Sequence, residues 1–200
     1  LTLKYVENDG DKIKSLKFST DSYLIYNGEP TGKLSQTEMI KLLTISDGYI
    51  TVIDNDSNKT ADVAYIYNYE TYFVGAVDQS TFTVTDMYAK DSKGAKKSVV
   101  LDEDKNENIT FKLLNSSGSY VAAAFGTITK NSVISVAKPY KEDDDEAKIE
   151  VIISKKTVKG SVTARGTDYA TIDSKKYTLS NYYTENGSEM TPSEISAGNT

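Results

Sequence analysis

Alternation of apolar and polar residues with a period of two is the feature that most restricts the fold of this chain. Stretches such as "GYITVID" (48–54) and "TFTVTDMY" (81–88) show it, and they are rich in β-branched and aromatic residues. Because successive side chains of a strand point to opposite faces, this period predicts half-buried β-strands. Short turns separate the strands, which predicts an all-β chain of small β-barrel or β-sandwich modules. The predicted strands span residues 3–7, 13–19, 22–26, 48–54, 61–69, 71–77, 81–88, 97–102, 108–114, 132–138, 147–154, 157–164, 169–173 and 176–180.

Residues 35–43 ("SQTEMIKLL") depart from this alternation. Ser35 is followed three residues later by Glu38, which is the spacing of a helix capping box. The apolar residues that follow fall on one side of a short helix. We therefore expect one short α-helix over residues 35–43, and we favour a helix that covers an open barrel end over one that docks a partner.

The length of the chain and a turn at residues 91–94 ("DSKG") indicate how the chain divides. A protein of 200 residues is large enough for one β domain or for two small ones. We expect a first β module with the helix over residues 1–90, a second β module over residues 91–187, and a polar tail or linker over residues 188–200. A single domain is the alternative.

Composition excludes several classes of function. The chain has no cysteine and no histidine, so it cannot form a Ser-His-Asp or Cys-His catalytic site, and a metal would have to bind through oxygen. The net charge is −6 and Arg165 is the only arginine, which argues against nucleic-acid binding. No apolar run approaches the ~20 residues of a membrane span, so no membrane insertion is expected.

The stretch "DNDSNKTAD" (54–62) has oxygen-bearing side chains at the spacing of a calcium-binding loop. An EF-hand-type loop places oxygen ligands at its first, third, fifth, seventh and ninth positions, the seventh through a backbone carbonyl. Counted from the first aspartate, these positions are Asp54, Asp56, Asn58, Thr60 and Asp62. The pattern predicts a weak Ca²⁺ site, with affinity about the millimolar level of extracellular modules, as the one candidate cofactor.

Two residues of this loop differ from a dedicated calcium site, and a plain turn is the alternative. Lys59 stands at the sixth position, where glycine is usual, and Tyr65 stands at the twelfth, where a bidentate glutamate is usual. Asn and Asp also stabilise hairpin turns through bonds to the backbone. A similar acidic turn occurs at "VENDGDKI" (6–13), so the chain is predicted to use one hairpin design twice.

Tyrosines alternate after the acidic loop. Tyr65, Tyr67 and Tyr69 share one face of the predicted strand, and Tyr72 follows the next turn. As an exposed face they would stack on cell-wall carbohydrate or contact a partner. The alternative is tyrosine packing across strands that shields a sheet.

Parts of the amino-acid sequence resemble a family of bacterial surface modules. The stretch "ITVIDNDSNKTADVAYIYNYETYFV" (50–74) is similar to the β-rich modules found beside S-layer-homology domains in clostridial and related Firmicutes surface proteins. In those modules a strand ends in an Asp-Asn-Asp turn, and the return strand carries an aspartate followed by apolar residues. A similar sequence pattern occurs at residues 128–138, 151–164 and 169–183. Lys59 departs from the family pattern, because a glycine is usual at that place in the turn.

The resemblance implies a location and a role. It implies an extracellular, wall-associated protein, and the fifteen tyrosines and absent cysteines are typical of Gram-positive surface proteins. We expect a non-catalytic structural or assembly module of a cell-surface or secreted protein, whose partners are other copies or neighbouring modules. The alternatives are a carbohydrate-binding or adhesion module, and a secreted hydrolase fragment with two facing acids in a pocket.

Overall fold

The described part of the chain consists mainly of short strands. A computed structural model describes residues 1–6, 13–45, 47–103, 108–141, 148–179 and 193. The predicted fold class, all-β with one short helix, is confirmed, and none of the described sheets closes into a barrel. The strands are β1 (Thr2–Val6), β2 (Ile13–Lys17), β3 (Tyr23–Tyr26), β4 (Glu29–Pro30), β5 (Gly48–Ile53), β6 (Val63–Asn68), β7 (Glu70–Asp78), β8 (Thr83–Lys90), β9 (Lys96–Val100), β10 (Ile109–Leu114), β11 (Tyr120–Ala123), β12 (Val133–Ala137), β13 (Ile149–Ser154), β14 (Val162–Arg165), β15 (Tyr169–Ile172) and β16 (Lys175–Thr178).

The helix forms where the capping box predicts it. The α-helix α1 spans Gln36–Leu43, and Ser35 is its N-cap. The Ser35 hydroxyl accepts from the backbone N–H of Glu38, and the Glu38 carboxylate accepts from the backbone N–H of Ser35 at 2.8 Å. A short 3₁₀-helix spans Phe125–Thr127.

The described strands form four sheets. A two-stranded sheet has the order β1-β2, and a four-stranded sheet has the order β4-β3-β6-β5. A seven-stranded sheet has the order β11-β10-β13-β12-β7-β8-β9, and a three-stranded sheet has the order β14-β15-β16. Within the four-stranded sheet β5 and β6 form an antiparallel hairpin, whereas β3 and β6 are parallel.

The backbone groups into two units that interleave along the sequence. One contains Leu1–Thr71, Asp102–Lys112 and Ser135–Ile152. The other contains Tyr72–Leu101, Leu113–Ile134 and Ile153–Thr200. The division into modules 1–90 and 91–187 stays a prediction, and most of the predicted tail at 188–200 lies outside the described residues.

The helix covers one face of the four-stranded sheet in the first unit. Met39 and Leu42 of α1 are buried in one cluster with Leu24 of β3 and with Ala64 and Ile66 of β6. Burial of each large aliphatic side chain stabilises the fold by about 1.5–3 kcal/mol. Because side chains alternate along a strand, the residues between these buried positions point to the opposite face of the same sheet.

The second unit has its own buried core. Val74 of β7 and Val84 of β8 are fully buried, and the rings of Phe82 and Phe125 pack edge to face with centroids 5.3 Å apart. Asp86 of β8 is also buried, and its carboxylate accepts from the backbone N–H of Phe73 at 2.8 Å and from two N–H groups of its own strand. These three bonds hold the carboxylate against the irregular part of β8.

Candidate functional site

The acidic loop lies between β5 and β6, at the tip of the hairpin that the sequence predicts. Carboxylate oxygens of Asp54, Asp56 and Asp62 all lie within 4.8 Å of one another. Asp54 and Asp56 follow β5 directly, and Asp62 precedes β6, so the antiparallel pairing of the strands brings the two ends of the loop together. The first, third and ninth predicted ligands therefore converge.

The same carboxylates also hold the turn in shape. Asp54 accepts from the backbone N–H of Lys59 at 2.9 Å, and Asp56 accepts from that of Asn58 at 3.1 Å. Asp62 accepts from the backbone N–H of Asn55 at 2.6 Å. These bonds are what an acidic hairpin turn requires.

The two remaining predicted ligands are placed differently. The side-chain oxygen of Asn58 accepts from the backbone N–H of Thr60 at 2.7 Å, and its amide nitrogen donates to Asp56 at 2.8 Å. Thr60 forms a parallel bridge with Lys17 of β2. Asn58 thus stabilises the turn and Thr60 joins it to β2, while the three aspartates form the acidic cluster.

The backbone at the sixth position of the loop has the conformation that glycine favours. Lys59 has φ of 65°, and Ser57 two residues earlier has φ of 61°. A side chain in this left-handed region costs about 1–2 kcal/mol. The loop therefore adopts the glycine-type bend of an EF-hand-like turn without the glycine.

Tyrosines of β5 and β6 form a stack on the face of the sheet that α1 does not cover. Tyr49 lies opposite Tyr67, and their ring centroids are 5.0 Å apart with the rings nearly parallel. Tyr67 stacks in turn on Tyr69 at 6.5 Å, and the Tyr69 hydroxyl contacts the Glu150 carboxylate at 3.4 Å. Two of the predicted tyrosines, Tyr67 and Tyr69, belong to this stack.

Tyr65 lies on the same face, and Tyr72 does not contribute to any exposed surface. Tyr65 is 38% exposed and lies opposite Thr51 of β5. Tyr72 is only 1% exposed, and the Lys97 ammonium lies 4.3 Å from the centre of its ring. A ring buried to this degree cannot stack on a ligand, so Tyr72 is a core residue of the second unit.

Further residues of this face were not singled out in the sequence. Tyr23 of β3, Tyr49 of β5 and Ile53 of β5 are 49%, 52% and 43% exposed. The alternation of Tyr49, Thr51 and Ile53 along β5 is visible in the sequence and could have placed them beside Tyr65 and Tyr67. Tyr23 could not be placed, because the parallel pairing of β3 with β6 joins distant segments. We call Tyr23, Tyr49, Ile53, Tyr65 and Tyr67 the outer tyrosine face.

The second acidic turn predicted at residues 6–13 lies almost entirely outside the described residues. Among the described residues, the only group of three or more acids close enough to share a metal ion is the cluster at Asp54, Asp56 and Asp62. No helix of the described chain has the length and apolar character that a membrane span needs.

Comparisons with protein-family models, with curated proteins and with solved structures find no match to this chain.

Proposed function

We propose that this chain is a non-catalytic structural or assembly module of a bacterial cell-surface or secreted protein. The observation that carries the proposal is the outer tyrosine face, which leaves large apolar side chains exposed on one side of the four-stranded sheet while α1 covers the other. Contiguous exposed apolar patches on a soluble domain mark interaction sites. The tyrosine-rich, cysteine-free composition and the resemblance to S-layer-associated modules favour the extracellular location.

The acidic cluster supports a second part of the same proposal, a calcium-stabilised turn. Three carboxylates within 4.8 Å repel one another, and a divalent cation with oxygen preference relieves that repulsion. Asp54, Asp56 and Asp62 would supply the ligands, with weak affinity because the loop lacks the bidentate glutamate. The ion would fix the β5–β6 turn, which borders the outer tyrosine face.

A carbohydrate-binding module is the second candidate, favoured by the exposed rings of Tyr49 and Tyr65. Sugars stack on the flat faces of aromatic rings. One face of the Tyr49 ring already packs against one face of the Tyr67 ring, since the ring centroids are 5.0 Å apart. The stack therefore leaves fewer ring faces for a sugar than the number of tyrosines suggests, and we place assembly first.

Analytical ultracentrifugation tests the proposal. We expect the sedimentation coefficient of the whole chain to rise with protein concentration up to about 1 mM, the range of weak surface contacts. Tyr65→Lys should abolish the rise because it puts a charge in the outer tyrosine face. Tyr120→Lys, at a more exposed tyrosine on β11, should leave it unchanged.

Two outcomes would contradict assembly. The first is a wild-type chain that stays monomeric up to about 1 mM. If that monomer also pellets with insoluble wall polysaccharide, and Tyr65→Lys but not Tyr120→Lys releases it, the carbohydrate-binding function is the correct one. The second is a concentration dependence that Tyr65→Lys does not reduce, which would place the contact elsewhere on the molecule.

A further inference from the structure

Strand β5 ends the four-stranded sheet and presents one backbone edge outward. The backbone N–H of Tyr69 donates to the carbonyl of Asp47 at 2.8 Å, which sets the alternation of the β5–β6 ladder. In an antiparallel ladder every second residue bonds to the same neighbour, so Tyr49, Thr51 and Ile53 face β6. The N–H and C=O groups of Ile50 and Val52 therefore point to the other side, where no described strand pairs with them.

The residues of β5 lack the features that normally protect such an edge. Proteins block terminal strands with lysine, proline or short length. The terminal strand β9 carries Lys96 and Lys97, β16 carries Lys175 and Lys176, and β4 has two residues, one of them a proline. Strand β5 is "GYITVI", six residues without charge or proline. The terminal strand β11 ("YVAA") also lacks charge but has only four residues.

We propose that β5 pairs antiparallel with β5 of a second copy of this chain, centred on Thr51. This inference rests on the proposed assembly function and names its partner and its contact. Ile50 of each copy bonds to Val52 of the other through both N–H and C=O groups, since these are the outward-facing residues. Thr51 then lies directly opposite Thr51 of the second copy, in a pair whose side chains are close.

The side chains of β5 complement one another in this register. Tyr49 of one copy lies opposite Ile53 of the other, and aromatic–aliphatic pairs across strands are stabilising. The contact is isologous, so the pairing closes as a dimer. It joins two four-stranded sheets into one of eight strands and makes the two outer tyrosine faces continuous.

Charge and area favour a second copy that binds weakly. The chain carries a net charge of −6, so most surfaces of two copies repel, whereas two β5 strands bring no charge together. Asp47 and Asp54 flank the strand and limit the ladder to its six residues. A contact of about 20 Å in length buries less than the ~1,000 Å² of a stable dimer. Pairing is therefore expected at the high local concentration of a surface array.

Cysteine cross-linking of the whole chain tests the register. The chain has no native cysteine, so single variants report one position each. Directly opposite residues without mutual hydrogen bonds have Cα atoms ~4.5 Å apart, which suits a disulfide. Under mild oxidation we expect Thr51→Cys to form covalent dimers about tenfold faster than Val121→Cys, its matched control on the other uncharged terminal strand. Equal rates, or faster dimerisation of Val121→Cys, would overturn the pairing.

A second variant separates this inference from the proposed function. Thr51→Lys places two like charges opposite each other at an exposed position, so folding is retained while pairing is lost; Thr51→Ser keeps the pairing. If wild-type association is sensitive to Tyr65→Lys but insensitive to Thr51→Lys, assembly stands and the β5 pairing is wrong. If the wild type is monomeric up to about 1 mM, the assembly function itself fails.

Discussion

Lys59 is a residue at which local sequence and local backbone disagree. Its φ of 65° belongs to the left-handed region, where a side chain crowds the backbone. The conformation persists because the surrounding turn fixes it from several sides. The backbone N–H of Lys59 donates to Asp54 at 2.9 Å, and its carbonyl accepts from Lys17 of β2 at 2.9 Å.

Lys59→Gly should therefore stabilise the protein. Relief of about 1–2 kcal/mol of backbone strain outweighs the ~0.5–1 kcal/mol entropy cost of glycine, so the melting temperature should rise by about 1–4 °C. Thermal unfolding followed by circular dichroism measures the shift. Lys93→Gly is the matched control, because it is an exposed lysine in a turn without positive φ, and it should lower the melting temperature slightly. A decrease for Lys59→Gly equal to that of the control would contradict the strain argument.

At the same scale, spacing in the sequence anticipates the convergence of Asp54, Asp56 and Asp62. It does so because a hairpin returns the chain to its starting point within a few residues. The burial of Tyr72 could not be read from spacing. Tyr72 follows the alternating tyrosines after a turn, and only the packing of the second unit around its ring decides that it is a core residue.

At the scale of elements, helix α1 depends on its N-terminal capping box. The Ser35 hydroxyl and backbone N–H both contact the Glu38 carboxylate, at 2.6 and 2.8 Å. Hydrogen bonds from the Ser35 hydroxyl and then from its backbone lower the pKa of Glu38, and the Tyr140 hydroxyl contributes less. Partial burial and the charge of Glu38 in turn raise the pKa of Tyr140.

Ser35→Ala should lower the melting temperature by about 2–4 °C at neutral pH, because it removes the N-cap oxygen. The pKa of Glu38 is lower in the folded than in the unfolded state. The ionised Glu38 carboxylate therefore contributes its full share to the free energy of unfolding above the unfolded pKa of about 4.3. This contribution is lost as pH falls through the folded pKa. Melts at a series of pH values should show the gap between wild type and Ser35→Ala narrowing below about pH 4.

Thr37→Ala is the control for the helix cap, since Thr37 is exposed in the first turn of α1 and is not the cap residue. It should shift the melting temperature by the same small amount at every pH, because alanine has the higher helix propensity and no titrating group changes. A gap between wild type and Ser35→Ala that stays constant down to pH 3 would show that the carboxylate is not involved in the cap.

Strands were predictable where alternation is strong and turns are marked, as in β5, β6 and β8. Strand β11 was missed because "YVAA" is rich in alanine, which has low strand propensity. Residues 157–164 were predicted as one strand, but β14 begins only at Val162. At Ser161, just before β14, the backbone N–H donates to the Asp173 carboxylate at 3.0 Å instead of to a strand carbonyl.

At the scale of the whole molecule, the all-β class follows from the period of two, but the order of the strands does not. The order β11-β10-β13-β12-β7-β8-β9 pairs strands that are distant in the sequence. The entropy of closing such long loops changes slowly with their length, so many pairings have similar costs. Side-chain packing selects among them, and packing is not visible in a pattern of apolar and polar residues.

Calcium should raise the stability of the whole molecule if the acidic cluster binds it. With a dissociation constant of about 1 mM, about 10 mM Ca²⁺ adds ~1.4 kcal/mol, because binding to the native state alone shifts the unfolding equilibrium. For a chain of this size we expect the melting temperature to rise by about 3–5 °C over that in chelator. Differential scanning calorimetry of the whole chain measures the shift.

Two variants of equal charge make the calcium measurement specific. Asp56→Asn removes one carboxylate of the cluster and should abolish the calcium-dependent rise, even though the loss of the oxygen that accepts from the Asn58 side-chain amide lowers the starting melting temperature. Asp21→Asn removes one exposed carboxylate outside the cluster and should keep the full rise. An unchanged melting temperature of the wild type in calcium, or an equal rise in both variants, would show that the loop is a hairpin turn and not a metal site. The acidity of the loop would then be explained by the backbone bonds that Asp54, Asp56 and Asp62 already make.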